Sequence, residues 1–479
     1  MNKSKYLIDN IFLFFLGNFG SKALTFILTP IYTLYLSTEQ YGMVDLIQST
    51  MNLLVPLLLL GSAEATMRFA MDKRMDNNEV LTFSIYILFG GTIILAISTP
   101  LLKNIEVFSN YAIYIPWIYF VTAGKGLLSQ FCRGIEKIRL YVMDSLMTAA
   151  ILLGLTIVFL AWLKWEAHGF LLAWIISNGV SCVFLVVSGK LYRYLTISSP
   201  ISKEVFQKML YYGLPLVPHS LSWSITSLLE RYFVAIFCGL AINGLYSIAF
   251  RVPAIMAVFI EVFMQAWQLS AIKEYEVDRD NAFYCKVYKY YSTFIFLIGS
   301  GLILSSKLIA LLLFKNEFYV AWKYVPLLMC AMTLANLQNY FGTLYTAFKK
   351  TNKLFITTIS GALVSIALNL ILIPWIEAYG AIIAIYISYI VVYIYRYTDT
   401  SKFIKININH KRIIATFLVM TAQAVLFTLD LKVSMLFNIA GFMVISIIHG
   451  NEIVGMLTTV CRYIKEFKNT VTTAFSDLD

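Results

Sequence analysis

Long apolar stretches alternate with short charged loops along almost the whole chain. A helix that crosses a bilayer needs about 17–25 largely apolar residues, and such stretches recur often enough to predict fourteen membrane-spanning helices. The first two flank the short turn STEQYG, so we expect them to form an antiparallel hairpin. The predicted spans lie near residues 10–36, 43–70, 81–102, 111–132, 141–163, 168–192, 210–237, 242–270, 285–313, 322–347, 354–375, 379–397, 413–430 and 433–450.

The first hairpin carries more helix-breaking residues than a simple membrane anchor needs. Glycine and proline interrupt both of its helices, at Gly17, Gly20, Pro30, Pro56 and Gly61. Charged residues also occur within or at the edges of these two apolar spans. Charge and breakable backbone at membrane depth are tolerated where they line a cavity, so the pattern predicts a water-filled, moving interior.

Composition places the chain among the all-α polytopic membrane proteins. Its residues are 59% hydrophobic and 13% charged, with a mean hydropathy of +0.76, whereas soluble proteins are about 25% charged. The six cysteines are scattered without paired spacing, which indicates neither disulfides nor metal ligands. No loop between predicted spans exceeds about twenty residues on these bounds, so we expect no soluble catalytic or nucleotide-binding domain, no enzyme activity and no cofactor.

The basic residues predict how the chain is oriented. Of the 37 lysines and arginines, 26 lie in loops on one side of the predicted membrane and six on the other. Because cytoplasmic loops carry the excess of positive charge, we expect both termini to face the cytoplasm. The net charge of +11 follows this loop pattern rather than forming a stripe, so it does not indicate a nucleic-acid partner.

An internal repeat divides the chain. Residues 166–177, EAHGFLLAWIIS, and 377–388, EAYGAIIAIYIS, are identical at six of twelve positions and open predicted spans six and twelve. Tyr41-Gly42 in the first hairpin is echoed more weakly by Asn243-Gly244. We therefore predict two six-helix bundles, residues 1–200 and 201–400, followed by two further helices and a tail in 401–479. Six helices per repeat give both bundles the same orientation, as in transporters that rock two bundles about a central cavity.

Four basic residues are candidates for binding an anionic substrate. A charge at the bilayer centre costs roughly 2.5–3.5 kcal/mol on insertion scales, so each one needs a partner, a cavity or a ligand. Lys22 lies about 18 Å along the first helix, and Arg251 precedes a potential kink at Pro253. Lys125 lies nearer the cytoplasmic side, and Arg231 lies at the outer end of span seven, where we expect solvent to reach it.

Four further charged residues are candidates for gating or ion coupling. Glu64 and Arg68 are four residues apart on one helical face, and we expect them to pair with each other. Asp45 is expected near the outer turn, close to water. Asp144, which is not one of these four, is expected near the cytoplasmic start of span five, also close to water. Glu261 lies deep in span eight, where it is a candidate proton or sodium site or the counter-ion of a cation in the other half.

The opening hairpin and the repeat together resemble a known family. The hairpin is similar to that of oligosaccharide flippases of the polysaccharide-transport branch, on the residues LGNFGSKALTFILTPIYTLYLSTEQYGMVDLIQS. These proteins belong to the multidrug/oligosaccharidyl-lipid/polysaccharide exporter superfamily. The segments EAHGFLLAW and EAYGAIIAI match the family's start of spans six and twelve, and the resemblance covers about residues 1–400. The last two spans depart from the family's twelve-span pattern.

The resemblance implies a flippase of the bacterial plasma membrane. It would move undecaprenyl-pyrophosphate-linked oligosaccharide from the cytoplasmic to the outer leaflet, for O-antigen, capsule or related polysaccharide. Basic cavity residues would hold the pyrophosphate, and Lys22 and Arg251 match this role best. The resemblance is also compatible with a polysaccharide polymerase and a chain-length regulator as protein partners.

Two other functions remain open at the level of sequence. A multidrug exporter of the same fold would favour cavity carboxylates for cationic drugs, whereas Lys22 and Arg251 are cations. A scaffold for a membrane polysaccharide-synthesis complex would leave the charges at membrane depth without a purpose. An anionic, lipid-linked substrate is therefore the main hypothesis.

Overall fold

The structure, a computed structural model, describes residues 20–458 apart from 21–22, 25, 73, 106–107, 196–201, 278–280, 349 and 407. Every regular element in these residues is helical, which confirms the all-α class. The helices are α1 Phe26–Tyr35, α2 Thr38–Leu58, α3 Ser62–Ala70, α4 Asn77–Lys103, α5 Tyr114–Gly134, α6 Ile138–Thr156, α7 Glu166–Ser188, α8 Lys203–Gly213, α9 Leu216–Cys238, α10 Leu240–Ala249, α11 Arg251–Val277, α12 Asn281–Leu313, α13 Val325–Ala347, α14 Thr351–Thr400, α15 His410–Thr428, α16 Ser434–Ile448 and α17 Gly450–Thr458.

The apolar helices confirm a multi-pass membrane protein, while the number of spans stays a prediction. Within the described residues, seven helices are long and apolar enough to cross a membrane, or up to ten if three bent helix pairs each form one span. Two of the fourteen spans expected from the sequence fall inside α14, which is continuous except for non-helical backbone at Ile376 and Glu377.

The internal repeat has a counterpart in the backbone. Glu166 and Glu377, the first residues of the two matching segments, have φ angles of 49° and 52°. Positive φ is uncommon for a residue with a side chain and costs of order 1–3 kcal/mol where the surroundings enforce it. The same strained turn at matching positions supports two copies of one structural unit.

The second predicted span is broken, as the glycine and proline pattern indicated. Helices α2 and α3 meet at an angle of 55°, and the break falls at Leu60 and Gly61, with φ angles of 53° and 68°. Pro56 stays inside α2. A Cβ at Gly61 would lie 2.8 Å from the carbonyl carbon of Gly213, so this crossing of two backbones requires glycine.

The chain forms two compact units. Unit 1 comprises Met1–Ile248 and Leu311–Val320, and unit 2 comprises Ala249–Ala310 and Ala321–Asp479. The short second segment belongs to unit 1 because the hydroxyl of Thr33 donates to the carbonyl of Leu313 at 2.9 Å and accepts the N–H of Lys315 at 3.0 Å. The boundary between the two predicted six-helix bundles near residue 200 stays a prediction, because the first long segment of unit 1 ends at Ile248 instead.

The last helices are firmly part of unit 2. The Gln423 side chain on α15 accepts the Ser300 hydroxyl of α12 at 2.7 Å and donates to the Asn438 side-chain oxygen of α16 at 2.7 Å. All three residues are buried. Because a buried amide costs free energy unless its hydrogen bonds are made, this cluster fixes α15 and α16 against α12.

Candidate functional site

The most concentrated polar site in unit 1 joins α2, α9 and α10. Asp45 of α2 accepts from the Nε of Arg231 of α9 at 2.7 Å and from the hydroxyl of Ser247 of α10 at 2.6 Å. Arg231 also donates to the carbonyl and the hydroxyl of Ser227, at 3.2 and 2.5 Å. We call these four residues the Asp45 junction.

Close backbone packing brings the helices of the Asp45 junction together. A Cβ at Gly42 would lie 2.9 Å from the backbone nitrogen of Gly244, and a Cβ at Gly244 would lie 3.1 Å from that of Gly42. The Asn243 side chain donates to the Gly42 carbonyl at 3.0 Å. Glycine on both helices is therefore what allows α2 and α10 to meet one turn away from Asp45.

The electrostatics of the Asp45 junction are those of a largely buried ion pair. The side chains of Arg231 and Asp45 are 14% and 13% exposed. Breaking such a pair by removing one partner costs about 3–5 kcal/mol, because the other charge stays buried without compensation. If the helices part and water enters, both charges are solvated. The geometry therefore suits a contact that holds in one conformation and releases in another.

Burial corrects two expectations from the sequence. Asp45 was expected near water, but it is enclosed by α9 and α10. Arg231 was expected within reach of solvent, but its guanidinium is engaged by Asp45 and Ser227, and the neighbouring Glu230 is also buried. Both errors arose because the sequence shows the depth along one helix but not the helices that cover it.

The expected pair between Glu64 and Arg68 is wrong. Both side chains are exposed on α3 and form no ion pair with each other. An exposed pair gains little because water screens the attraction and two long side chains lose entropy. The spacing of four residues made the pair possible without making it favourable.

The remaining predicted site residues are spread over the chain. Lys22 lies outside the described residues. Arg251 begins α11 and is partly exposed, and Glu261 is exposed on the same helix. Lys125 is partly exposed on α5. Substrate binding by Lys22, Arg251 and Lys125, and ion coupling by Glu261, stay predictions.

Two features of unit 1 were missed from the sequence. Ser247 completes the Asp45 junction, and its signal was present, since it lies 202 residues after Asp45, the same spacing that separates Gly42 from Gly244. Asp144 was expected close to water, but it is fully buried on α6 and bonded to Ser181 of α7. No local sequence signal pairs these two residues.

The fold is that of a class of multi-pass membrane transporters. An inward-facing multidrug resistance MATE family transporter of the MOP superfamily superposes with a TM-score of 0.68, at 17% identity over 80% of this chain and 95% of that one. The lipid II flippase MurJ, in an inward closed conformation, gives 0.64 at 14% identity over 92% and 100%. A MOP superfamily transporter from Pyrococcus furiosus gives 0.55 at 18% identity over 81% and 94%. At these identities the similarity concerns the fold.

A sequence-family comparison then narrows the class. The model of the polysaccharide biosynthesis protein family matches residues 7–268, more than half of the chain. The chain belongs to this family, which confirms the resemblance seen in the opening hairpin. No curated protein matches the chain in sequence. The family and the fold are those of membrane flippases and exporters rather than of catalytic enzymes.

Proposed function

We propose that this protein is a flippase for lipid-linked oligosaccharides. It moves undecaprenyl-pyrophosphate-linked repeat units from the cytoplasmic to the outer leaflet of a bacterial plasma membrane, with both termini in the cytoplasm. The product supplies O-antigen, capsule or a related surface polysaccharide, alongside a polymerase and a chain-length regulator. Membership of the polysaccharide biosynthesis family and a fold shared with a lipid-linked-substrate flippase support this proposal.

The Asp45 junction is the observation that carries the transport mechanism. Its ion pair joins α2, in the opening hairpin of the first repeat, to α9 and α10, which open the second. Alternating access requires such a joint to close one side of the substrate path and then to separate. Asp45 and Arg231 therefore act as a gate, and Arg231 contributes to substrate binding only when the gate is open.

The membrane potential suffices to drive the substrate outward. Moving one charge through 100 mV is worth about 2.3 kcal/mol, so a pyrophosphate with two negative charges gains roughly 4–5 kcal/mol in leaving an inside-negative cell. Lys22, Arg251 and Lys125 compensate the headgroup within the cavity while the polyprenyl tail stays in lipid. Ion antiport is then an addition rather than a requirement.

The test is complementation of a deletion strain. Cells with Asp45→Asn or Arg231→Met should accumulate lipid-linked repeat units, measured by mass spectrometry, and lose surface polysaccharide, measured on gels. Glu64→Gln, which changes an exposed carboxyl on α3, is the matched control and should behave as the unaltered protein. Protein levels are compared by immunoblot. Full surface polysaccharide in both junction variants would overturn the gate.

A second candidate is a multidrug or small-molecule exporter. It is favoured by the fold similarity to the multidrug transporter, with a TM-score of 0.68 against 0.64 for MurJ. The deletion strain decides between them: increased susceptibility to cationic dyes with normal polysaccharide supports the exporter. If the deletion strain loses its surface polysaccharide and the Asp45→Asn protein restores it in full despite the broken gate, the result supports a scaffold.

A further inference from the structure

Asp144 is a buried carboxyl group that the gate does not use. It lies on α6 of unit 1 with no exposed surface, where α5, α6 and α7 pack together. Its Oδ1 accepts the hydroxyl of Ser181 of α7 at 2.5 Å. Its Oδ2 is buried and has no hydrogen-bond partner.

No neighbouring group supplies the missing hydrogen bond. Thr148 donates its hydroxyl to the backbone carbonyl of Asp144 at 2.8 Å, and the thiol of Cys182 on α7 donates to the Val121 carbonyl at 3.6 Å. The hydroxyls of Thr148 and of Ser129 on α5 lie close enough to interact with the carboxyl group, but neither is in hydrogen-bond geometry with Oδ2. The thiol of Cys132 on α5 interacts with it only at longer range.

Lys125 of α5 is the basic group that faces Asp144. It is partly exposed and interacts electrostatically with Asp144. Within the described part of the chain, however, it forms neither an ion pair nor a hydrogen bond. An ionised carboxylate buried with one oxygen outside hydrogen-bond geometry and no ion-pair partner is strongly unfavourable, whereas a protonated carboxyl group needs no counter-charge.

We propose that Asp144 is a proton-binding site of unit 1, protonated on Oδ2 in this conformation. Release of the proton to water leaves a carboxylate, and Lys125, which keeps its ammonium charge, then moves to form an ion pair with it. Proton binding and the Asp144–Lys125 ion pair therefore exclude each other. The proton site is independent of the proposed function, and its use in transport rests on that function.

An infrared titration of the full-length protein tests the site without any substrate. Protein labelled with ¹³C-aspartate is reconstituted in nanodiscs and titrated from about pH 4 to about pH 9, which brackets exposed and buried carboxyl groups. We expect a protonated-carboxyl C=O band that shifts with the label and is lost in Asp144→Asn. Glu64→Gln, the exposed control, should leave the band unchanged.

A second variant keeps the test decisive if Asp144→Asn does not fold. Lys125→Met leaves the carboxyl group in place and removes the cation that stabilises its ionised form, so the band should persist to a higher pH. An aspartate band that neither variant changes, or no such band in the unaltered protein, would overturn the proposal. If the band titrates as expected but the protein does not support polysaccharide export, the proton site stands and the proposed function is overturned.

Discussion

The Asp45–Arg231 pair makes a quantitative prediction about the gate. In Asp45→Asn the shape of the side chain is kept, but the largely buried Arg231 loses the carboxylate that it pairs with. Removing one partner of a fully buried pair costs about 3–5 kcal/mol. Because the side chains retain 13–14% exposure, we expect the lower end, about 3 kcal/mol.

A double-mutant cycle separates the pair from its surroundings. In Asp45→Asn/Arg231→Met neither charge of the pair is left without its partner, so we expect the double variant to lose less than the sum of the two single variants, with a coupling energy of about 2 kcal/mol, within the range for residues in contact. Ser247→Ala is the matched control, since it removes one hydrogen bond to Asp45 and keeps the ion pair. Its expected loss is about 1.5–3 kcal/mol, as for a hydrogen bond to a charged group.

Two assays measure this cycle. Steric trapping in lipid bicelles gives the free energy of unfolding of each variant. Electron paramagnetic resonance between labels on α2 and α9 reports how often the gate is open, and a coupling of about 2 kcal/mol corresponds to about a 30-fold change in that equilibrium. Effects of the two single variants that add to within about 0.5 kcal/mol would show no coupling and refute the gate.

Three further predictions concern packing and buried polar groups. Gly244→Ala should separate α2 from α10, because a Cβ there would lie 3.1 Å from the backbone nitrogen of Gly42; we expect a widened α2–α10 distance between spin labels. Arg396→Lys should lower the free energy of unfolding by about 2–3 kcal/mol, since lysine lacks the planar fork that reaches Thr357 and two further oxygens. Gln423→Leu should loosen α15 and α16, seen as faster hydrogen exchange there, because its two buried partners lose their bonds.

The sequence predicted the fold well because its signals are local or periodic. Long apolar stretches, the matching segments at Glu166 and Glu377 and the break near Gly61 each follow from composition or from backbone conformation within a few residues. These features reappear in the structure at the predicted places. The number of spans stays a prediction, and two of the fourteen share α14 apart from a strained turn.

The candidate site was less predictable because its contacts join distant segments. Asp45 and Arg231 were both recognised as candidates, but 186 residues separate them, so nothing local indicated that they meet. Local reasoning favoured the pair Glu64 and Arg68 instead, and that pair does not form. Burial of Asp144 depends on α5 and α7, which the sequence of α6 does not reveal.

The repeat explains why the gate has this chemistry. Gly42 packs against Gly244 and Asp45 against Ser247, and the residues of each pair lie 202 positions apart. Two glycines can approach this closely, but two aspartates would bring like charges together and raise the energy of the closed state. One acid opposite one hydroxyl, neutralised by Arg231, avoids this repulsion. The difference between Asp45 and Ser247 therefore removes a repulsion from the closed state of the proposed gate.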